Sequence, residues 1–208
     1  MSEYVWMCTA QMDPSLTRGL WPELNIKKPK VFPWSFLEET WSMNEMGVSL
    51  PRDRFPEKVF HSTKAKFRAS LPEFFHSGFI FLNEKAQDVF YVHDLGGGAL
   101  YPVDLYEHDE VTPIPAKIRT LCIGNQKDTV LLDRSPRMRQ IWPKQEFYAP
   151  EREFLDDDIT VDASCIEGAD IWADPKVKRV FFISDRLGKS LAKVGMKKAF
   201  GLVRCTVE

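Results

Sequence analysis

The spacing of apolar and polar positions divides the chain into short strands and a few capped helices. Tyr4 to Cys8 is an aromatic and β-branched run that predicts an opening strand, ended by Asp13-Pro14. Pro22, Pro29 and Pro33 predict an irregular stretch over 20–33. From Pro33 onward the spacing predicts a helix through Trp41, with proline at its first position, acids near its start and Gly47 as its stop. Trp34, Leu37 and Trp41 then share one face, which reads as core, with an aromatic partner-binding face as the alternative.

Two later stretches share one plan. Phe79 to Leu82 is a short apolar run of the buried-strand kind; Asn83 caps a helix carrying Glu84 and Asp88, Gly96-Gly97-Gly98 breaks the chain, and Leu100 to Tyr106 resumes as a strand. Val180 to Ile183 repeats the run, Ser184 caps a helix from 185 to about 194, Gly195 stops it, and Leu202 to Val207 closes as a strand. In that helix Leu187, Leu191 and Val194 fall at i, i+4 and i+7 and face inward, with Arg186, Lys189 and Lys193 outward. Between the two stretches, Ile118 to Ile123 and Thr129 to Leu132 flank Gly124-Asn125 and predict a hairpin. The fold expected is mixed α/β of the α+β type: compact, with two related strand–helix–strand half-units around small sheets. Residues 1–208 are expected to form one domain, with two lobes at about 1–110 and 111–208 as a refinement.

Composition adds little to this. At 208 residues, with 44% hydrophobic and 28% charged residues, the chain sits among ordinary globular domains. No apolar run approaches the roughly 18 residues that span a bilayer, and MSEYVWMCTA does not read as a leader, so the expected location is the cytosol. Cys8, Cys122, Cys165 and Cys205 stand singly with no C-x-x-C pair, and read as buried reduced thiols.

Charge changes the picture. The net value of −2 argues against a molecule covered by a nucleic-acid-binding surface. Residues 151–174 nevertheless hold nine acids against one base, a local charge of −8, while residues 175–208 hold nine bases against two acids, a local charge of +7. The acidic stretch has three readings: a solvated loop, a site for a hard cation, or a contact surface for a basic partner. Glu151, Glu153, Asp156, Asp157, Asp158 and Asp162 are its candidate contact residues.

Catalytic patterns are not legible. Gly96-Gly97-Gly98 lacks both glycine-rich phosphate-binding spacings and leads into a strand, so it reads as a turn. His61, His76, His93 and His108 stand far apart, and His93-Asp94 and His108-Asp109 are chance-level pairs. Asp156-Asp157-Asp158 with Asp162 lacks the spaced ladder, central glycine and terminal glutamate of a calcium loop. No catalytic, cofactor-binding or metal-ligating residue is predicted, and neither a nucleic acid nor a membrane is an expected partner.

The last forty residues carry a recognisable order: Asp170-Ile171-Trp172, eight residues, Phe181-Phe182-Ile183-Ser184-Asp185-Arg186-Leu187, then Leu191 to Gly195 and a final strand. This resembles the C-terminal signature of an immunity-protein family from bacterial polymorphic toxin systems, first catalogued as a domain of unknown function and including a fruiting-body-associated myxobacterial member. Phe79 to Glu107, with Tyr101-Pro102-Val103, is similar to that family's central region. The resemblance implies a cytosolic protein that binds a toxin delivered by contact-dependent or type VI machinery and protects the producing cell without enzymatic activity. It carries over no catalytic residue. The acidic stretch favours a nuclease toxin with a basic cleft, with an ADP-ribosyltransferase second. The rival expectation is an enzyme that acts on a small molecule or reverses a toxin's modification, using carboxylates such as Asp156 to Asp158.

Overall fold

The computed structural model describes residues 4–23, 34–67, 70–142, 144–152 and 154–208. Thirteen strands and three helices among them form a mixed α+β fold. The larger sheet runs, edge to edge, β2 (Leu20–Pro22), β3 (Lys58–His61), β6 (Ala99–Tyr106), β7 (Ile118–Cys122), β5 (Phe79–Asn83) and β4 (Phe74–Ser77). The smaller runs β10 (Thr160–Val161), β13 (Leu202–Val207), β1 (Val5–Cys8), β12 (Phe181–Ser184) and β11 (Ile171–Trp172). A separate ribbon pairs β8 (Met138–Gln140) with β9 (Tyr148–Pro150). The helices are α1 (Trp34–Glu45), α2 (Glu84–Phe90) and α3 (Asp185–Lys193).

Capping fixes where α2 and α3 begin. Asn83 Oδ1 accepts the Ala86 N–H at 3.1 Å and Ser184 Oγ accepts the Leu187 N–H at 3.2 Å, each ahead of an acid in the first turn. Gly195, at φ +80°, turns the chain out of α3. Inside α3, Gly188 leaves room for the Trp6 ring, whose Cδ1 would lie 2.3 Å from an added Cβ.

The two strand–helix–strand stretches share a topology. Strands β5 and β6 both pair antiparallel with β7, so they run parallel with β7 between them; β12 and β13 do the same around β1. Each crossover helix covers its own sheet, and α2 packs against α3. Phe90, Leu187, Leu191 and Phe200 thereby join Phe74, Ile80, Leu82, Phe181 and Ile183 in one core. The period-2 alternation of strands sends the intervening residues the other way. Phe79 and Phe81 face a second core beneath α1 with Leu37 and Phe55, and Phe182 faces a third with Met7, Trp172 and Cys205. Burial on both faces is why these runs are continuously apolar.

Several expectations are corrected. Leu20–Pro22 is not irregular but strand β2, tolerated because Pro22 lies on an edge strand, where a missing N–H costs no ladder bond; Pro29 and Pro33 lie outside the described residues. No hairpin joins 118–123 to 129–132. Strand β7 pairs with β5 and β6, while Gln126 bridges Ala173 and Val130 bridges Val161. Asn125 works instead as a junction: its side-chain NH2 donates to the carbonyls of Leu95 (2.7 Å) and Ile171 (3.0 Å), and its Oδ1 accepts the Gly97 N–H at 2.9 Å. Gly97 and Gly124 meet there so closely that a Cβ on Gly97 would lie 2.6 Å from the Gly124 carbonyl oxygen. Val194 does not face the core, because α3 ends at Lys193 and the C-cap leaves Val194 53% exposed. Of the α1 aromatics, Trp41 packs edge-on against Phe79 and Trp34 against Trp41, but Trp34 stays half exposed while Leu37 is fully buried.

Strand membership crosses residue 110 in both directions: β1 belongs to the smaller sheet and β7 to the larger. Among the described residues no helix is long and apolar enough to cross a membrane.

Candidate functional site

The acidic stretch forms surface loops whose carboxylates also hold the local backbone. Asp156 Oδ1 accepts the Arg204 N–H at 2.8 Å, and Asp157, at φ +71°, clasps the Arg204 guanidinium with both oxygens. That contact holds the Asp157 carboxyl below the usual carboxylate range. Asp158 accepts the Leu155 N–H at 2.7 Å, and Arg137 reaches Glu151 at 3.2 Å and Asp158 at 3.9 Å. Asp162 caps the short helical turn Ala163–Ile166 through the Ser164 N–H, which lowers its carboxyl. Glu153 lies outside the described residues. The stretch keeps its excess of negative charge, with Leu155, Asp156 and Asp157 exposed, but Arg137 and Arg204 dilute it.

The signature residues converge elsewhere, on Asp170. Its side chain is almost wholly buried and accepts hydrogen bonds from Ser184 Oγ, Arg186 Nε and the Asp94 N–H, the last at 2.9 Å. Burial pushes this carboxyl up, the bonds from Ser184 and Arg186 push it down, and the bonds win. The Asp170 N–H donates to the Asp94 carbonyl and its own carbonyl accepts the Ser184 N–H. One carboxylate therefore joins the loop after α2, the edge strand β11 and the N-terminus of α3. Trp172, two residues on, stacks at 6.1 Å on Phe182 in the third core.

His93 completes this cluster, and sequence reasoning missed it. Its Nδ1 lies 3.4 Å from Asp170 Oδ2, and its Nε2 lies 2.9 Å from Ser190 Oγ in α3. The order Asp–His–Ser is that of a nucleophilic triad. Acyl transfer also needs two N–H groups aimed at the developing oxyanion. The amide of Ser190 lies in the interior of α3, where the helix's own ladder uses it. The amides of Gly96, Gly97 and Gly98 are taken by Asp94, Asn125 and Leu95. The arrangement orients the imidazole and ties the loop after α2 to α3, while the amides of Ser190 and of Gly96 to Gly98 are already engaged.

Two more polar groups, half-buried Lys127 and buried Asp174, frame the acidic stretch. The Lys127 ammonium donates to the carbonyls of Cys165 (2.8 Å), Glu167 (2.8 Å) and Ala169 (3.2 Å) and lies 4.0 Å from the centre of the Trp172 ring. Asp174, almost fully buried, accepts the N–H groups of Thr129, Val130 and Lys176, each at 2.9 Å. All four cysteines are free and buried; burial raises each thiol, Cys165 to about 11, so none is a ready nucleophile at neutral pH. Among the described residues no three or more His, Cys, Asp or Glu side chains stand together as a metal site.

No family model matches this chain, and no curated protein matches it.

Proposed function

We propose that this chain is an immunity-type protein that binds a cognate secreted toxin in the cytosol and neutralises it by covering the toxin's active site. The observation that carries the reading is the Asp170 cluster. The pieces on which the resemblance rests, Asp170-Ile171-Trp172 and Ser184-Asp185-Arg186-Leu187, are one hydrogen-bonded and packed unit in space, as a single architectural feature requires. In this reading they build the fold, and the surface loops make the contact. The two crossovers, β5–α2–β6 and β12–α3–β13, are related half-units of one domain over 1–208, a view supported by their shared split topology and helix-on-helix packing.

The preferred target is a nuclease toxin, met by the acidic loop with Glu151, Asp156, Asp157, Asp158 and Asp162, and with Glu153 by sequence. Carboxylates on a loop steer association with a cationic cleft. The test is titration of the purified chain into a toxin activity assay. Protection complete at one copy per toxin is the expected result; protection at substoichiometric amounts overturns it in favour of an enzyme. The enzyme reading has one observation of its own, the 2.9 Å contact between His93 and Ser190. Ser190→Ala separates the two: full protection by this variant fits the binder, and its loss in a folded variant fits the enzyme.

A further inference from the structure

A strand edge left open offers its backbone groups to another chain, and folded proteins cover or blunt such edges. In the larger sheet the two edge strands meet each other. The His76 carbonyl of β4 accepts the Arg18 N–H at 2.9 Å, Ser77 Oγ donates to the Leu20 carbonyl of β2 at 2.8 Å, and Pro22 has no N–H to offer. In the smaller sheet β10 is flanked by the chain at 129–131, where the Leu131 N–H donates to the Thr160 carbonyl at 3.0 Å. Beside β11 runs the chain at 125–127, where the Asn125 side chain donates to the Ile171 carbonyl at 3.0 Å.

The β8–β9 ribbon is different. Strand β9 is covered, because Tyr148 exchanges bonds with Lys176 and Lys178, both at 2.8 Å. Strand β8 has β9 as its one strand neighbour among the described residues. The Ile141 N–H donates to the Phe147 carbonyl and the Glu151 N–H to the Arg137 carbonyl, both at 2.9 Å, so residues 137, 139 and 141 turn their backbone groups toward β9. By antiparallel alternation Met138 and Gln140 turn theirs away from it. The Met138 N–H donates to the Ser135 carbonyl at 2.9 Å, whereas the Met138 carbonyl and both backbone groups of Gln140 have no partner among the described residues. Arg139 and Gln140 are exposed, so this edge faces solvent.

The register identifies the chain that fits. Two antiparallel copies of β8 related by a two-fold axis can be centred on Arg139 or on Gln140. Centring on Arg139 sets two guanidinium groups directly opposite one another, which is destabilising, and calls on the Met138 N–H, which is already engaged. Centring on Gln140 lets each Gln140 N–H donate to the Gln140 carbonyl of the other copy. It also sets Arg139 opposite Ile141 and Met138 opposite Trp142, a half-exposed indole held edge-on against Phe147 at 5.7 Å. The edge is complementary to itself in hydrogen bonds, and no like charges stand directly opposite.

We propose that β8 is a self-association edge: a second copy of this chain adds its own β8 antiparallel about Gln140, joining the two ribbons into a four-stranded sheet. This inference does not depend on the toxin-binding reading. Each copy contributes a strand of three residues, a short edge, so the dimer is weak and its population depends on concentration.

Sedimentation equilibrium of the purified chain, from micromolar to submillimolar concentration, is the test. The average mass is expected to climb from one protomer toward two. Gln140→Pro removes the outward N–H without touching a bond to β9, and is expected to hold the chain at one protomer. Ile141→Glu places a carboxylate opposite Arg139 of the second copy and is expected to tighten the dimer about threefold or more; Ile141→Arg is expected to weaken it by a similar factor, since each pair occurs twice. These two variants decide the matter if Gln140→Pro fails to fold, because damage to the ribbon moves both in the same direction, whereas the proposed register moves them in opposite ones. A wild type that stays at one protomer throughout overturns the proposal. So does a dimer indifferent to all three substitutions, which would be held by another surface, and so does a common direction of change in the two Ile141 variants.

Discussion

Asp170 and Asp174 stand at the two ends of the same short strand region, and both are 1% exposed, yet burial leaves them in opposite states. Asp174 is held by three backbone N–H groups. Burial raises its carboxyl, those bonds offset only part of the rise, and Asp128 adds repulsion. Asp170 has one backbone N–H, but the Arg186 guanidinium and the Ser184 hydroxyl join it, and its carboxyl ends below the ordinary value. Solvent exclusion is common to both, and the cation is what differs. A buried carboxylate is made a permanent anion by a partner that brings charge, and hydrogen bonds alone leave it nearer to titration.

The comparison breaks most visibly at Asp170. Asp170→Ala takes the shared acceptor from the Ser184 hydroxyl and the Asp94 N–H, and one contact from the largely exposed Arg186, and should cost about 3–5 kcal/mol by urea denaturation at neutral pH. A loss well under that range would show that water replaces the carboxylate and that the cluster is less enclosed than its geometry states. The pH dependence follows by linkage. Since the folded Asp170 carboxyl lies below its unfolded value, its stabilisation is complete above the unfolded pKa of about 3.9 and is lost as pH falls toward the folded value. Asp174 acts in the opposite sense: its folded carboxyl lies higher, so stability falls as pH rises through the window between its unfolded and folded values. Urea midpoints across the acid range should therefore show a flatter acid loss in Asp170→Asn and a steeper one in Asp174→Asn. The same slope in both variants would remove the distinction between the two sites.

Smaller effects sharpen it. Leu191→Ala, in the core shared by the two sheets, should cost about 2–5 kcal/mol, and an unchanged melting temperature would contradict the packing of α3. Ser184→Ala loses a helix cap worth about 1 kcal/mol and also a donor to Asp170, worth about 1 kcal/mol more. A total no larger than the cap alone would place the hydroxyl outside the Asp170 cluster. The smallest effect on stability is expected when Asp156, Asp157, Asp158 and Asp162 are changed together to Asn, because these residues are at the surface and Asn keeps an acceptor. Their effect should appear in toxin association, which slows at low salt because the steering field is screened beyond about 8 Å at physiological ionic strength. Equal association rates at low salt would remove the acidic loop from the interface.

What was legible in the sequence was local. Asn83, Ser184 and Gly195 act within one turn of their own position, and the apolar runs around Phe81 and Phe182 announce burial by composition alone. What was hidden depends on partners far along the chain. His93 meets Ser190 across 97 positions and Asn44 caps the Leu121 carbonyl across 77, so neither leaves a periodic trace. The expected hairpin failed for the same reason: Gly124-Asn125 has the chemistry of a turn, but the space is taken by Gly97, Leu95 and Ile171. Val194 departs from the helical period because it is the C-cap itself, one residue past the last helical position. The dense acidic stretch attracted attention through its charge, whereas Asp170, a single carboxylate at its margin, does more to hold the molecule together.

The position of β1 between β12 and β13 sets a timetable for biosynthesis. Residues 5–8 leave the ribosome long before their strand partners, both of which lie within 181–207. While the intervening chain is translated, Val5 and Met7 have no sheet to enter, although both are fully buried in the finished molecule. Among the described residues the larger sheet contains no strand beyond Cys122 and is free to assemble during synthesis; the smaller one must wait until Val207 has emerged. Closure of the smaller sheet is thus a late event, and until it happens the nascent chain carries an unpaired apolar strand that chaperones or a neighbouring chain can capture.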